Sequence, residues 1–496
     1  MIPRRLALAA AVALTACAPK PATVKLPEKS AVIPSTDPLA ERPSLGAPVP
    51  FKPVQPEVFV TAEGLTVWLV ARPALPLVSL ALMVPTGSAD DPKERPGLAH
   101  ITADMLDEGA GTRGAIAIST AIEDLGARLS TSAALDGSTI ALTVIKKHLG
   151  VGFEIFADVA ARPRFDEAEY RRVTELWQNA LKRRDDDPQS VARVVRAAVL
   201  FGPDAPYGHP TSGRLEVAKA LTLDEVKAFH AAHYRPDRAT LVVAGDLTRG
   251  ELEALLAKHL ASWKRPAAPP PARAVPTPPR AKRPRLVLVD RPEAPQSVLA
   301  YIAPGVKASD PGAPPLELVN TALGGSFASR LNQNLREDHH WTYGAGSSFV
   351  ETRGQGPFIA QAPVFVDATA PALRELLAEI AKMRDAGPTD DEIARGRARD
   401  LFDLMQTQET LGNFVSRLAD LAELGLPPDH DSRASVARQA ATRASLAALA
   451  KQHLDPSLAS IIVVGPRAVV EPQLGVLGLG EPELWTAQGL PASATK

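Results

Sequence analysis

The chain repeats itself. The segment Arg72–Pro85 lines up with Arg291–Pro304 at an offset of 219 residues, and Asp91-Pro92 then falls on Asp310-Pro311. About 150 residues further on, His233, Pro236 and Leu241-Val-Val-Ala-Gly245 fall on His453, Pro456 and Ile461-Ile-Val-Val-Gly465 at an offset of 220. Two matches so far apart that hold nearly one offset mark a duplicated unit. Whatever one half builds, the other must build too.

Each half mixes two periodicities. Leu65–Val70, Leu77–Val84, Ser138–Val144 and Ala239–Ala244 are β-rich runs bounded by turn formers. Between them, Leu98–Leu106 brings Leu98, Ile101 and Met105 onto one helical face, and Tyr170–Leu181 does the same for Val173, Leu176, Trp177 and Ala180. Strand pairs separated by helices without regular βαβ alternation predict an α+β fold, a mostly antiparallel sheet packed with helices in each half. At 496 residues the chain is long enough to bury two such cores. A proline-rich run over 265–284 separates an N-terminal half (56–264) from a C-terminal half (285–470) and reads as the linker. The tail, 471–496, carries no strong periodicity.

With 55 basic and 56 acidic residues the net charge is −1, which gives no electrostatic pull toward nucleic acid. The single cysteine, Cys17, excludes disulfides within the chain. Its place is informative. Arg4 and Arg5 precede an apolar run, Leu6–Ala16, too short to span a bilayer. Leu14-Thr15-Ala16-Cys17 resembles the lipobox of bacterial lipoproteins, which implies a signal peptide over 1–17 and acyl chains on Cys17; an ordinary secretory signal is the alternative. Ala18 after the cysteine implies the outer membrane, with the protein facing the periplasm. Membrane association is then through the lipid anchor alone. Residues 18–55, rich in Pro, Ala and Ser, read as a flexible tether.

The segment Gly97-Leu-Ala-His100-Ile-Thr-Ala103-Asp104-Met-Leu106 resembles the G-L-A-H-x-x-E-H-M-L zinc helix of the insulinase/pitrilysin family of metallopeptidases. The first histidine stands as His100, but Ala103 holds the glutamate position and Asp104 that of the second histidine. Catalytic zinc takes three protein ligands and a water, and residues at i and i+4 share a helical face, so the intact motif supplies two imidazoles and a base. The resemblance places the third ligand, a glutamate, near the end of a second helix. Anchored on Asp186-Asp187-Pro188, that position is Ala180. Glu175, five residues away, is about 140° round the helix and no simple substitute. Taken alone, His100 is more simply a groove histidine satisfied by a hydrogen bond than a ligand. No metal is expected in this chain. There is no H-E-x-x-H, and no G-x-S-x-G to suggest a serine nucleophile.

The second half keeps what the first has lost. Gly324–Ser347 resembles the family's C-terminal signature, a helix with S-R-L and L-R-E leading through a turn into a strand that begins with Thr/Ala-Tyr. Arg336 and Tyr343 have the seven-residue spacing of the family's arginine–tyrosine pair, which the resemblance assigns to gripping the substrate backbone and donating to the scissile carbonyl. A positioned donor to a tetrahedral oxyanion is worth about 3 kcal/mol. Arg330 reads as structural, tying down the Gly324-Gly325 turn, and His339-His340 as a solvated turn.

The family's fold implies two α+β halves facing each other like a clamshell. Its two-chain members divide labour, one subunit carrying the zinc motif and the other the arginine–tyrosine pair. The expected function is therefore the substrate-binding, Arg/Tyr subunit of a hetero-oligomeric envelope metallopeptidase. Its partner would be a homologous H-x-x-E-H chain holding Zn, its substrate peptide or unfolded protein. Two other readings stay open: a non-catalytic peptide-binding or scaffolding protein of the envelope, and a self-sufficient peptidase with unusual ligands.

Overall fold

The computed structural model describes residues 52–273, 275–279 and 284–492. Cys17, the signal-peptide reading and most of the tether lie outside the described residues. The first half contributes β1 (Glu57–Val60), β2 (Thr66–Ala71), β3 (Leu77–Val84), a small ribbon of β4 (Gly109–Ala110) and β5 (Arg113–Gly114), then β6 (Arg128–Ala133), β7 (Ser138–Ile145) and β8 (Thr240–Gly245). The second contributes β9 (Arg285–Asp290), β10 (Gln296–Pro304), β11 (Gly346–Phe349), β12 (Pro357–Phe365), β13 (Ser460–Gly465) and β14 (Glu483–Trp485).

The two six-stranded sheets run β1-β2-β8-β3-β7-β6 and, read from the other edge, β14-β9-β13-β10-β12-β11. β2, β3 and β8 thus correspond to β9, β10 and β13 at the sequence offsets given above. In each sheet one internal pair is parallel, β2 with β8 and β9 with β13. The strands from β3 to β6 and from β10 to β11 pair antiparallel. The edges differ: β1 joins β2 antiparallel, whereas β14 joins β9 parallel. The protein is two homologous α+β halves. β14 comes from the tail to which the sequence assigned nothing, and Trp485 on it is buried.

Both faces of each sheet are covered, which explains why β3 is apolar at every position but Ser79 instead of alternating. One face packs on its own half: Leu80 and Leu82 share a core with Phe153 and Phe156 of the helix Leu149–Ala161. The other face is covered by a helix from the opposite half. Phe414, Val415 and Leu418 of Leu411–Glu423 lie on Trp68, Ala81 and Met83 of the first sheet. Reciprocally, Val191, Val195 and Ala198 of Pro188–Phe201 lie on Val287, Ala300 and Val464 of the second. The exchange makes the described residues one unit.

Both exchanged helices are capped at the start. The Asp187 side chain accepts from Ser190 N at 2.8 Å with Pro188 in the first turn, and Thr410 accepts from Asn413 N at 3.1 Å. The described part of the proline-rich linker is docked along the body. Arg235 and Arg238 donate to the carbonyls of Ala268 and Pro271 at 2.9 Å, and Pro276 O accepts from Gln355 N at 2.9 Å. At the end of the tether, Val54 N donates to Gln408 Oε1 of the second half at 3.1 Å.

Candidate functional site

The motif helix starts where a buried carboxylate takes its free N–H groups. Asp91 accepts from Gly97 N at 2.6 Å and from Ala99 N at 2.7 Å, and burial pushes its carboxyl up to about 8 against the pull of those donors. Gly97 has φ 102°, and a Cβ there would lie 2.6 Å from the Trp177 ring and 2.8 Å from Gly213 Cα. Only glycine fits that junction. The helix runs Leu98–Asp104, with Leu98, Ile101 and the following Met105 buried as their spacing predicts.

His100 Nε2 lies 3.4 Å from Asp104 Oδ2, one turn away. Its ring is tilted against Trp177 of the helix Glu167–Asp186 at 6.0 Å between centroids, and the Trp177 indole N–H donates to Ser212 O at 2.8 Å. Ala103 is fully buried. Burial raises the Asp104 carboxyl, His100 draws it back and Glu108 adds to the rise. Asp107 is pushed up to about 6, first by burial and then by Glu108, which itself pairs with Arg172.

The Glu167–Asp186 helix buries Tyr170, Val173, Trp177 and Leu181. The sequence expectation for its apolar face needs correction: Leu176 is 56% exposed and Ala180 is exposed as well, because the buried stripe follows the i+4 steps 173, 177, 181 and leaves 176 and 180 to one side. Glu175 also points to solvent. Among the described residues, no three His, Cys, Asp or Glu side chains are grouped to hold a metal ion. His100 and Asp104 are two donors where catalytic zinc takes three.

In the second half, Arg336 lies in a π-helical turn, Gln333–Asp338. Its guanidinium sits 4.6 Å above the Phe327 ring, with Nε 3.5 Å from Glu337. Tyr343 is 82% exposed and lies in the turn before β11, which begins at Gly346, so it precedes the strand that the signature would have it open. Arg330 is structural, but its partner differs from the expectation. It forms a two-pronged pair with Glu392, 2.7 Å at both nitrogens, and donates to Gly387 O at 3.1 Å, fixing the start of the helix Asp390–Thr407. His339 stacks on Trp341 at 4.1 Å in the exposed turn. Phe327, the ring under Arg336, carried no signal in the sequence beyond its nine-residue separation.

His100 also borders a cavity of about 450 Å³ between the halves. Its walls are the 188–201 helix and the Tyr207–Ser212 segment from the first half, with Ile302, Val350 and Ile359 from the second. No spacing in the sequence brings these segments together; the exchanged helix does.

Comparisons with known proteins point one way. Residues 66–202 match the family model described as insulinase (peptidase family M16), and residues 220–399 the one described as peptidase M16 inactive domain. An uncharacterized zinc protease of Mycobacterium leprae is 30% identical over 344 residues, 68% of this chain and 76% of the relative. Among solved structures, a peptidase M16 inactive domain from Pseudomonas fluorescens superposes with TM-score 0.77 at 26% identity, covering 83% of this chain and 98% of that one. A protease from Helicobacter pylori gives 0.78 at 18% identity, covering 83% and 100%.

Proposed function

The chain belongs to the insulinase family of peptidases, family M16, and we propose that it is the substrate-gripping subunit of a two-chain peptidase whose zinc is held by a homologous H-x-x-E-H partner. The observation that carries this reading is the motif helix. Ala103, at the position of the base, is fully buried and offers no proton acceptor, and Asp104 is already engaged by His100 at 3.4 Å. Water activation needs a third ligand and a base; Ala103 leaves this helix without the base, and Ala180 leaves the second helix without the ligand.

The chain's own contribution is positional. Arg336, steadied over Phe327, has donors left for peptide carbonyls, and the exposed Tyr343 hydroxyl is free to donate to a carbonyl oxygen as it becomes anionic. A donor fixed before the reaction begins gains most where charge develops, so these two side chains raise turnover more than they raise ground-state affinity.

The test is to mix the purified chain with a homologous H-x-x-E-H chain and assay unstructured peptides. Activity is expected in the mixture and in neither chain alone, with a loss of about a hundredfold or more in the Arg336→Ala/Tyr343→Phe double variant. Stoichiometric zinc and hydrolysis by this chain alone would overturn the reading, as would full activity of the double variant.

We further propose that the protein is a periplasm-facing lipoprotein of the outer membrane, held through Cys17, which the Leu14-Thr15-Ala16-Cys17 run supports. Among the described residues no helix is long and apolar enough to cross a membrane. Cys17→Ser is expected to move the protein from the membrane to the soluble fraction; retention in the membrane would refute the anchor.

A further inference from the structure

The cavity between the halves has an unbalanced wall. It is bordered by Arg184, Arg193 and Arg196 and by no aspartate or glutamate. Arg184 is committed elsewhere, with Asp185 Oδ1 at 2.8 Å and Gly213 O at 2.6 Å. Arg193 and Arg196 are three residues apart on the 188–201 helix and so share a face. That helix carries no acidic residue, and among the described residues neither arginine has a carboxylate within ion-pair distance, although the chain as a whole is charge-balanced. Arg196 is held by a neutral acceptor, Gln361 Oε1 at 2.5 Å. Burial and then the charge of Arg193 bring its guanidinium down to about 10, as expected of a cation that lacks its counter-ion.

Two other arginines at the junction of the halves are matched. Arg273 faces Asp90 at 3.5 Å, and Arg417, on the exchanged helix of the second half, is paired with Asp431 at 2.8 Å and Glu351 at 3.0 Å. The first half's exchanged helix leaves its pair open toward a cavity. Beside the two cations the wall is apolar: Val194, Phe201, Ile302, Val350 and Ile359. His209 adds a second sign of a missing partner, being 4% exposed with its Nε2 unbonded. A space of this size suits a side chain or two of a ligand, not a domain.

We propose that this cavity is an anion subsite for the bound peptide, in which Arg193 and Arg196 take a carboxylate and the apolar wall takes the side chain next to it. The proposal rests on the peptide-gripping reading above and names the peptide class: acidic, or ending in a free carboxylate beside an apolar residue. Arginine suits this work because its planar donors meet both carboxylate oxygens.

The test is fluorescence anisotropy with the full chain and no partner, so that its outcome is independent of the mixing assay. Four labelled probes share one apolar sequence: free C-terminus, amidated C-terminus, amidated with an internal Glu, and amidated with Gln in its place. Tighter binding of the free-acid over the amidated probe assigns the subsite to a terminal carboxylate. Tighter binding of the Glu over the Gln probe assigns it to an acidic side chain. Arg193→Gln and Arg196→Gln are each expected to weaken the preferred probe by about ten- to a hundredfold and the neutral probe little. Arg193→Lys should keep part of the preference, and since Arg193 is exposed its variants should melt as the wild type does. Equal binding of charged and neutral probes, no binding of any, or wild-type preference in both glutamine variants would overturn the proposal. So would Arg193- and Arg196-dependent binding to phosphatidylglycerol vesicles without binding to the probes.

Discussion

Asp136, in the turn between β6 and β7, accepts the backbone N–H of Arg353 from the second half at 3.0 Å. The same carboxylate receives the Tyr207 hydroxyl at 2.7 Å, and that hydroxyl in turn accepts from Gly354 N at 2.9 Å. Arg273 of the linker donates to the Asp136 carbonyl. One side chain thus joins the first half directly to the second, and its residue also receives the linker.

Removing it should be costly. Asp136→Ala would leave the Tyr207 hydroxyl and the Arg353 N–H buried without an acceptor, and each such group costs about 1–3 kcal/mol. We expect a loss on the order of 3 kcal/mol in urea unfolding, against about 1 kcal/mol for Tyr207→Phe. A midpoint for Asp136→Ala within error of the wild type would show that water fills these roles.

Glu423, on the exchanged helix of the second half, accepts from Asp136 N at 3.3 Å, and burial followed by the Asp136 charge pushes its carboxyl up to about 7. An unfolded glutamate titrates near 4.3, so the folded chain binds the extra proton between roughly 4 and 7. Its contribution is complete below the unfolded value and is lost as pH rises through 7. Glu423→Gln keeps an acceptor and cannot ionise. The variant should therefore gain on the wild type from pH 5 to pH 8, by on the order of 2 kcal/mol at the upper end. A difference between the two melting curves that does not change with pH would refute this.

The exchanged helices predict how the two halves unfold. Phe414 belongs to the second half but its ring is buried on the first sheet with Trp68 and Met83. Phe414→Ala should cost about 3–5 kcal/mol, and Val195→Ala in the reciprocal helix somewhat less. Because each helix is continuous with one half and buried on the sheet of the other, calorimetry should show one transition that moves as a whole. Two transitions, only one of them shifted, would mean that the halves are stable apart.

Much of this was legible in the sequence, and the reasons are local. The expected strand at Leu77–Val84 is β3, because a run between prolines that is apolar but for Ser79 has little else to become. The duplication fixed two halves because one offset survived in strands far apart in sequence. What stayed hidden depends on distant contacts. Nothing in the sequence near Val191 or Phe414 says that the sheet they cover belongs to the other half. The i, i+3, i+4 pattern that puts Leu176 and Ala180 on the apolar face fits two overlapping stripes, both through Val173 and Trp177, and the burial of Tyr170 and Leu181 decides between them. Arg193 and Arg196 look like ordinary solvated charges until the cavity beside them is seen to hold no acid.

The assignment of the lost zinc positions can itself be tested by restoring them. His100 and position 104 lie one turn apart on the motif helix, and Ala180 lies one turn beyond Trp177, whose ring meets His100 at 6.0 Å. Asp104→His with Ala180→Glu would complete a three-ligand set around His100 without touching the buried Ala103, and Ala180 is exposed, so the longer side chain has room. After dialysis against a weak chelator this double variant should retain about one zinc per chain, and Asp104→His alone should retain far less, since two imidazoles leave the shell to water. With alanine still at the base position, the double variant should bind metal and hydrolyse nothing. Adding Ala103→Glu supplies that base at the cost of burying a carboxylate in the core, so its melting temperature should fall even as zinc is kept. If the double variant is as free of zinc as the parent, Ala180 is not the vacated ligand position.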